Sequence, residues 1–254
     1  MKKYKILVTN DDGINAPGIR FLIDVAKEFG EIIIMAPDKG QSATGHSITF
    51  AEPLRVKTLE EKENYREYCC NGTPVDCIKL AEHIAIKGMP DLVLSGVNHG
   101  SNASINVIYS GTMAAAIEAC IDEIPAIGFS YDSYSSKIDF EPARPYIRTI
   151  IRGVIEKGMP KDVCLNVNIP NTDQLKGIKV CRQAKASWQE GFDTRTDPRG
   201  SEYHWLTGHF EVTDNGLGTD LHAIENHYIS VVPVQVDLTA HKAIEALKFL
   251  ETQL

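Results

Sequence analysis

Residues 5–19 read KILVTNDDGINAPGI. The apolar run Ile6, Leu7, Val8 has the make-up of a short buried strand, and it stops at Asn10-Asp11-Asp12-Gly13. Adjacent carboxylates repel and raise each other's pKa unless something cationic lies between them. An Asp-Gly turn is the plainer reading of this pair; a cation held by both aspartates is the reading with chemical consequences. Two further polar clusters follow apolar runs. APDKGQSATGHS, residues 36–47, carries Ser42, Thr44 and His46, and SGVNHGSN, residues 95–102, carries Asn98 and Asn102. Carboxylates, a hydroxyl and an amide carbonyl are hard oxygen donors, suited to Mg²⁺, Mn²⁺ or Ca²⁺ rather than to a thiolate-bound zinc. In YSGTMAAAIEA, residues 109–119, Ser110, Gly111 and Thr112 open a helix whose first amides and positive dipole end can receive an anion. Simple N-capping explains Ser110 and Thr112 taken alone; beside a metal cluster they point to a phosphate between cation and helix.

These clusters need elements to bring them together. Strands are expected at Ile6–Thr9, Ile32–Ala36, Leu92–Ser95, Ala126–Ser130 and Cys164–Ile169. Ile19, Leu22, Ile23, Ala26 and Phe29 recur at helical spacing between the first two. Thr73-Pro74 opens a helix through Cys77, Leu80, Ala81 and Ile84, and Gly111 to Ile121 forms an alanine-rich helix. Such alternation implies a mostly parallel sheet covered on both faces, with ligands bound beyond the carboxyl ends of its strands. All three polar clusters fall at that rim. Residues 47–70 interrupt the alternation with β-like pieces (Ser47–Phe50, Leu54–Thr58, Tyr65–Cys70), a local antiparallel insertion. Ala186 to Asn226 is polar and aromatic without sustained periodicity, too long for a structureless loop, and reads as an extension. A strand at Tyr228–Val236 and an amphipathic helix from about Thr239, with Ile244, Leu247 and Leu250 inward, complete the chain. The expected division is a core over 1–185, an arm over 186–226, and a returning strand and helix over 227–254.

Composition excludes several classes. A chain of 254 residues with 43% hydrophobic content is an ordinary folded one, and its net charge of −8 argues against a nucleic-acid polymer as partner. No apolar run approaches the roughly 20 residues of a membrane span, and none forms a signal-peptide core. The six cysteines show no CxxC pair or zinc-finger spacing and sit in apolar segments, which suggests reduced thiols and a cytoplasmic location. The sequence contains no GxSxG elbow and no GxGxxG after the first strand. His46 reads as a surface hydrogen-bonding group, and Asp237, four residues before His241, as a helix cap.

Taken together, NDDGINAPGI, APDKGQSATGHSIT, NGTPVDCIKLA, SGVNHGSN, YSGTMAAAIEA and YISVVPVQVDLTAH resemble the motifs of the SurE family, in order and along nearly the whole chain. The resemblance implies a Rossmann-like three-layer αβα core with a mostly parallel sheet, and a C-terminal β-rich extension used in oligomerisation as a homodimer or homotetramer. It implies a phosphatase acting on nucleoside 5'- and 3'-monophosphates with one divalent ion per subunit, Mg²⁺ or Mn²⁺. Metal ligands fall on Asp11, Asp12, Ser42 and Asn98, with the two aspartates catalytic; Asn10, Asn102, Ser110, Gly111 and Thr112 fall near the phosphate. Two other readings compete: an aspartyl-phosphate phosphatase of haloacid-dehalogenase type with Asp11 as nucleophile, and a non-catalytic nucleotide sensor. Adjacent aspartates lack the Asp-x-Asp spacing of the former, which favours attack by water.

Overall fold

A computed structural model describes residues 4–135 and 137–251. In chain order the larger elements are β1 (Tyr4–Thr9), α1 (Pro17–Ala26), β2 (Gly30–Pro37), β3 (Val56–Lys62), β4 (Tyr65–Cys70), α2 (Pro74–Leu80), β5 (Leu92–His99), α3 (Gly111–Ile121), β6 (Ala126–Tyr131), α4 (Arg144–Lys157) and β7 (Val163–Ile169). They are followed by β8 (Ile178–Val180), β9 (Lys185–Thr196), β10 (Glu202–Asp214), α5 (Asp220–Glu225), β11 (Ile229–Gln235) and the single turn α6 (Ile244–Leu247). Nine strands form one sheet in the order β3-β4-β2-β1-β5-β6-β7-β11-β8, with β9 and β10 apart as a two-stranded ribbon. The pairs from β4 through β7 are parallel; β3 against β4 and β11 against β7 are antiparallel.

Side chains alternate across a strand, and that alternation builds two cores. Ile6 and Val8 of β1 join Ile32, Ile34, Leu92 and Leu94 under α1 and α4. Leu7 joins Ile33, Met35 and Val93 under α2 and α3. The result is the three-layer αβα arrangement. Small residues let α3 lie close to the sheet: Ala115, Ala116 and Ala119 are fully buried, alongside Met113. All six cysteines are buried and reduced.

Several expectations need correction. Residues 47–50 form no strand, and Phe50 is 94% exposed; the antiparallel excursion begins only at Val56. Ile84 faces outward because α2 passes into a π-helical turn over Ala81–Ile86, which changes the angular step that the 3.6-residue spacing assumes. The C-terminal helix is reduced to α6 flanked by 3-10 turns, with Ile244, Leu247 and Leu250 exposed rather than inward. Among the described residues none covers them. Helix α4, whose inward side is Ile147, Ile150 and Ile151, was not anticipated, nor were β8 and α5.

Candidate active site

The carboxyl ends of β1, β5 and β6 meet the N-terminus of α3, and Asp11 lies at the junction. Past the end of β1, Asn10 Nδ2 donates to Gly13 O at 2.9 Å and closes the turn that carries both aspartates. The Gln41 amide donates to Asp11 O at 2.7 Å, tying the loop after β2 to that turn. Asp11 is only 4% exposed, and Thr112 Oγ1 donates to its Oδ1 at 2.5 Å. Gly111 is required by this packing: a Cβ there would stand 2.8 Å from Asp11 Cβ and 3.0 Å from Oδ2. Burial pushes the Asp11 carboxyl up to about 6, with Asp12 adding repulsion and the Thr112 hydroxyl and amide working against both. Part of the anion-receiving end of α3 is therefore occupied by the protein's own carboxylate.

Asp12 is held by a residue that the sequence reading did not single out. Its Oδ2 accepts from the His99 amide at 3.1 Å and lies 3.1 Å from His99 Nδ1. The imidazole is in turn set edge-on to Phe140, with ring centres 5.8 Å apart. His99 stands next to Asn98 in the chain, and nothing in its spacing relative to Asp12, 87 residues away, advertised the contact.

Strand β5 bends before it delivers Asn98. Its register against β6 shifts between Ser95 and Asn98, and Gly96 takes φ +124°, a backbone state that favours glycine. A Cβ on Gly96 would also lie 2.2 Å from Phe129 O. Asn98 Nδ2 donates to Gly100 O at 2.8 Å, so its carbonyl oxygen is the end left for a ligand. Asn102 is anchored from three sides. Its amide donates to Asn168 Oδ1, its Nδ2 to Ser130 Oγ, and its carbonyl accepts from Asn166 Nδ2, each at 2.8 Å. This buried amide network of Asn102, Ser130, Asn166 and Asn168 links the loop after β5 to β6 and β7. Only Asn102 among its members was foreseen.

The remaining predicted residues divide. Ser42 is exposed, one residue from the Gln41 amide that grips Asp11. Ser110 Oγ accepts from the Met113 amide at 3.0 Å, so its hydroxyl does serve as a helix cap. Thr112 instead spends its hydroxyl on Asp11. His46 Nε2 lies 2.7 Å from Glu118 Oε2, and Lys79 pairs with the same carboxylate, which turns His46 away from the aspartates. Asp237 and His241 pair at 2.7 Å on the surface.

The donor chemistry fits a hard divalent cation. Among the described residues no three His, Cys, Asp or Glu side chains are grouped to hold a metal, so a cation here would rest on two carboxylates and neutral oxygens. Asn10 Oδ1, buried beside Asp11, has no hydrogen-bond partner, an acceptor left open in an acceptor-rich pocket. Asn10, Asp11, Asp12, Asn98, Asn102, Gly111 and Thr112 thus share one rim, and the structure supplies the same oxygen-rich character that the sequence suggested.

Comparison with known proteins agrees in both sequence and shape. A family model described as "Survival protein SurE" matches residues 6–190. The chain is 57% identical over 250 residues to the 5'-nucleotidase SurE of Christiangramia forsetii, covering 97% of this chain and 96% of that protein. It is 41% identical over 251 residues to the 5'-nucleotidase SurE of Caldanaerobacter subterraneus subsp. tengcongensis, covering 97% of each. The crystal structure of a SurE protein from Aquifex aeolicus superposes with a TM-score of 0.84 at 38% identity, over 98% of this chain and 100% of that one. Match, identity and shape extend over the site and the fold alike, and the chain belongs to the SurE family.

Proposed function

We propose that this protein is a divalent-cation-dependent 5'-nucleotidase, hydrolysing nucleoside 5'-monophosphates, and 3'-monophosphates as well, to nucleoside and phosphate. The observation that carries the reading is the wedge of Asp11 between Asp12, Thr112 and the first turn of α3. An anionic pair there calls for a cation, and the helix terminus beside it calls for a phosphate. Asp11, Asp12, Asn98 and Ser42 would hold one Mg²⁺ or Mn²⁺ per subunit. When bound, such an ion supplies positive charge against a phosphoryl oxygen and makes a water more acidic. The protein's own groups do the rest. Asn102 keeps one amide proton beyond its bond to Ser130, and the Gly111 amide is not consumed within the helix; both can steady the equatorial oxygens of the transferring phosphoryl group. Asp12, fixed by His99, holds its orientation while charge develops.

Attack by water is favoured over a phospho-aspartate. Asp11 has one carboxylate oxygen committed to Thr112, and the other is the one that would hold the cation, which leaves no free oxygen for in-line attack. Among the described residues no helix is long and apolar enough to cross a membrane. We place the enzyme in the cytoplasm as a homodimer or homotetramer, with residues 186–226 as the arm between subunits and the aspartate site within 1–185. The deciding assay follows hydrolysis of adenosine 5'-monophosphate and p-nitrophenyl phosphate, with EDTA and after Mg²⁺ or Mn²⁺ add-back. Loss of turnover with EDTA and its return with metal is expected. Nucleotide binding without turnover under any metal would leave a sensor in place of an enzyme.

A further inference from the structure

Tyr134 lies three residues beyond the end of β6, on the rim that carries Asn98 and Asn102. It is 83% exposed, a large ring left open to solvent beside a polar site. Its phenol end nevertheless rests on the backbone of Gly100: a Cβ built on that glycine would lie 2.4 Å from Tyr134 Cε1 and 3.0 Å from Oη. Gly100 is itself fixed, its amide donating to Tyr131 O at 2.9 Å and its carbonyl accepting from Asn98 Nδ2 at 2.8 Å. Gly100 is two residues from each of Asn98 and Asn102, at most about 7 Å of chain, and the phenol resting on it extends from the same stretch of rim. The aromatic groups around Phe140 are spent on one another. Phe140 packs on Phe21, Tyr131 and His99, with ring centres 5.4–5.8 Å apart. Among the described residues Tyr134 makes no side-chain hydrogen bond, ion pair or ring–ring contact, and the ring surface turned away from Gly100 is open to solvent.

We propose that Tyr134 is the nucleobase platform of the site: with the phosphate at the head of α3, the ribose crosses Gly100 and the base stacks on the Tyr134 ring. The inference rests on the nucleotidase reading above. Stacking recognises π-surface rather than hydrogen-bond pattern, so one exposed tyrosine gives broad nucleotide acceptance graded by ring size, with purines ahead of pyrimidines. Gly100 serves this arrangement directly, since a side chain there would lift the phenol away from the loop.

The test compares wild type, Tyr134→Ala and Tyr134→Phe on adenosine and cytidine 5'-monophosphates and on ribose 5-phosphate, which has no base. Tyr134→Ala is expected to raise KM for adenosine 5'-monophosphate by about five- to a hundredfold, the range for loss of one base–aromatic stack, while kcat stays within about twofold. The adenine-over-cytosine preference should shrink toward one, kcat/KM for ribose 5-phosphate should move little, and Tyr134→Phe should behave as wild type. An equal loss on ribose 5-phosphate makes the role merely structural and overturns the proposal. An unchanged KM for adenosine 5'-monophosphate also overturns it, and directs the base instead to the cavity of about 770 Å³ between α3 and β11, which Ser110 and Ile108 line. If wild type hydrolyses none of the three, the nucleotidase reading falls. Titration with free adenosine then still decides Tyr134, because platform loss must weaken that binding and unaltered binding refutes it.

Discussion

Asp11 concentrates the physics of the site at the residue scale. Its carboxyl is raised to about 6 from an ordinary 3.8, first by burial and then by Asp12. A carboxyl whose folded pKa lies above its unfolded one favours the folded state below the unfolded value, and that contribution is lost as pH rises through the folded value. The metal-free protein therefore gives up stability between about pH 4 and pH 6 on account of this group. Asp11→Asn keeps a carbonyl acceptor for Thr112 and removes the buried charge. At pH 8 in EDTA it should unfold later than wild type, by on the order of 1–3 kcal/mol, and at pH 3.5 the difference should vanish. Its phosphatase activity should fall at least about a hundredfold, as should that of Asp12→Asn, because neither leaves two charged ligands for the cation. Urea unfolding at both pH values and initial rates in Mn²⁺ check the two halves separately. Substantial residual activity in Asp11→Asn would remove the aspartate from the metal.

Among the elements, α3 does the most. It is buried almost all round, receives Asp11 at its first turn, and through Glu118 anchors both His46 and Lys79. Nearby, the π-helical turn that follows α2 buries Glu82 with Oε1 unpartnered. Burial, and then the charge of Asp122, raises that carboxyl to about 7. The sign is the same as for Asp11 but the window is higher: stability is lost as pH climbs from about 4.5 to 7. Glu82→Gln should flatten that stretch of the stability curve, and at pH 8 should exceed wild type by on the order of 1–3 kcal/mol. Chemical denaturation at half-unit steps between pH 5 and pH 8 measures it. Parallel curves for the two proteins would show that Glu82 ionises freely in the fold.

For the molecule as a whole, the outlying surface is the question. The β9–β10 ribbon pairs from Lys185 to Asp214 and holds Trp188 against Phe210, ring centres 5.2 Å apart, with Trp188 Nε1 donating to Asn106 Oδ1 at 2.9 Å. Farther out Phe192, Trp205 and Leu206 stand exposed, as do Ile244, Leu247 and Phe249 at the C-terminal end. Aromatic side chains concentrated on a projecting ribbon suit an interface core, and closed symmetry makes a two-fold dimer the smallest product. Sedimentation of the full chain at micromolar concentration should give a dimer or tetramer. Replacing residues 190–211 with a short turn should lower the order of assembly while the far-UV spectrum of the core persists. A full-length monomer would assign the ribbon to another task.

What the sequence by itself determined was whatever depends on local pattern: five parallel strands that begin within two residues of where they were expected, though β5 runs four residues further, the capped helix at Pro74, the alanine-rich helix over 111–121, and the rim as the meeting place of three polar clusters. Apolar runs, glycines and prolines encode these directly, because burial and backbone freedom are read over a few residues. The family motifs were legible for the same reason. Only the tertiary structure decided contacts between residues far apart in the chain, such as His99 on Asp12, Thr112 on Asp11, and the Asn102–Ser130–Asn166–Asn168 network. Each joins single polar groups across as many as a hundred residues, with no periodicity to announce it. The same holds for Ile84 and for Ile244, Leu247 and Leu250. Their spacing promised an inward face, but whether a face is buried depends on what lies opposite it. For Ile84 the π-helical turn rotated the side chain away, and for the C-terminal trio no described residue covers the face.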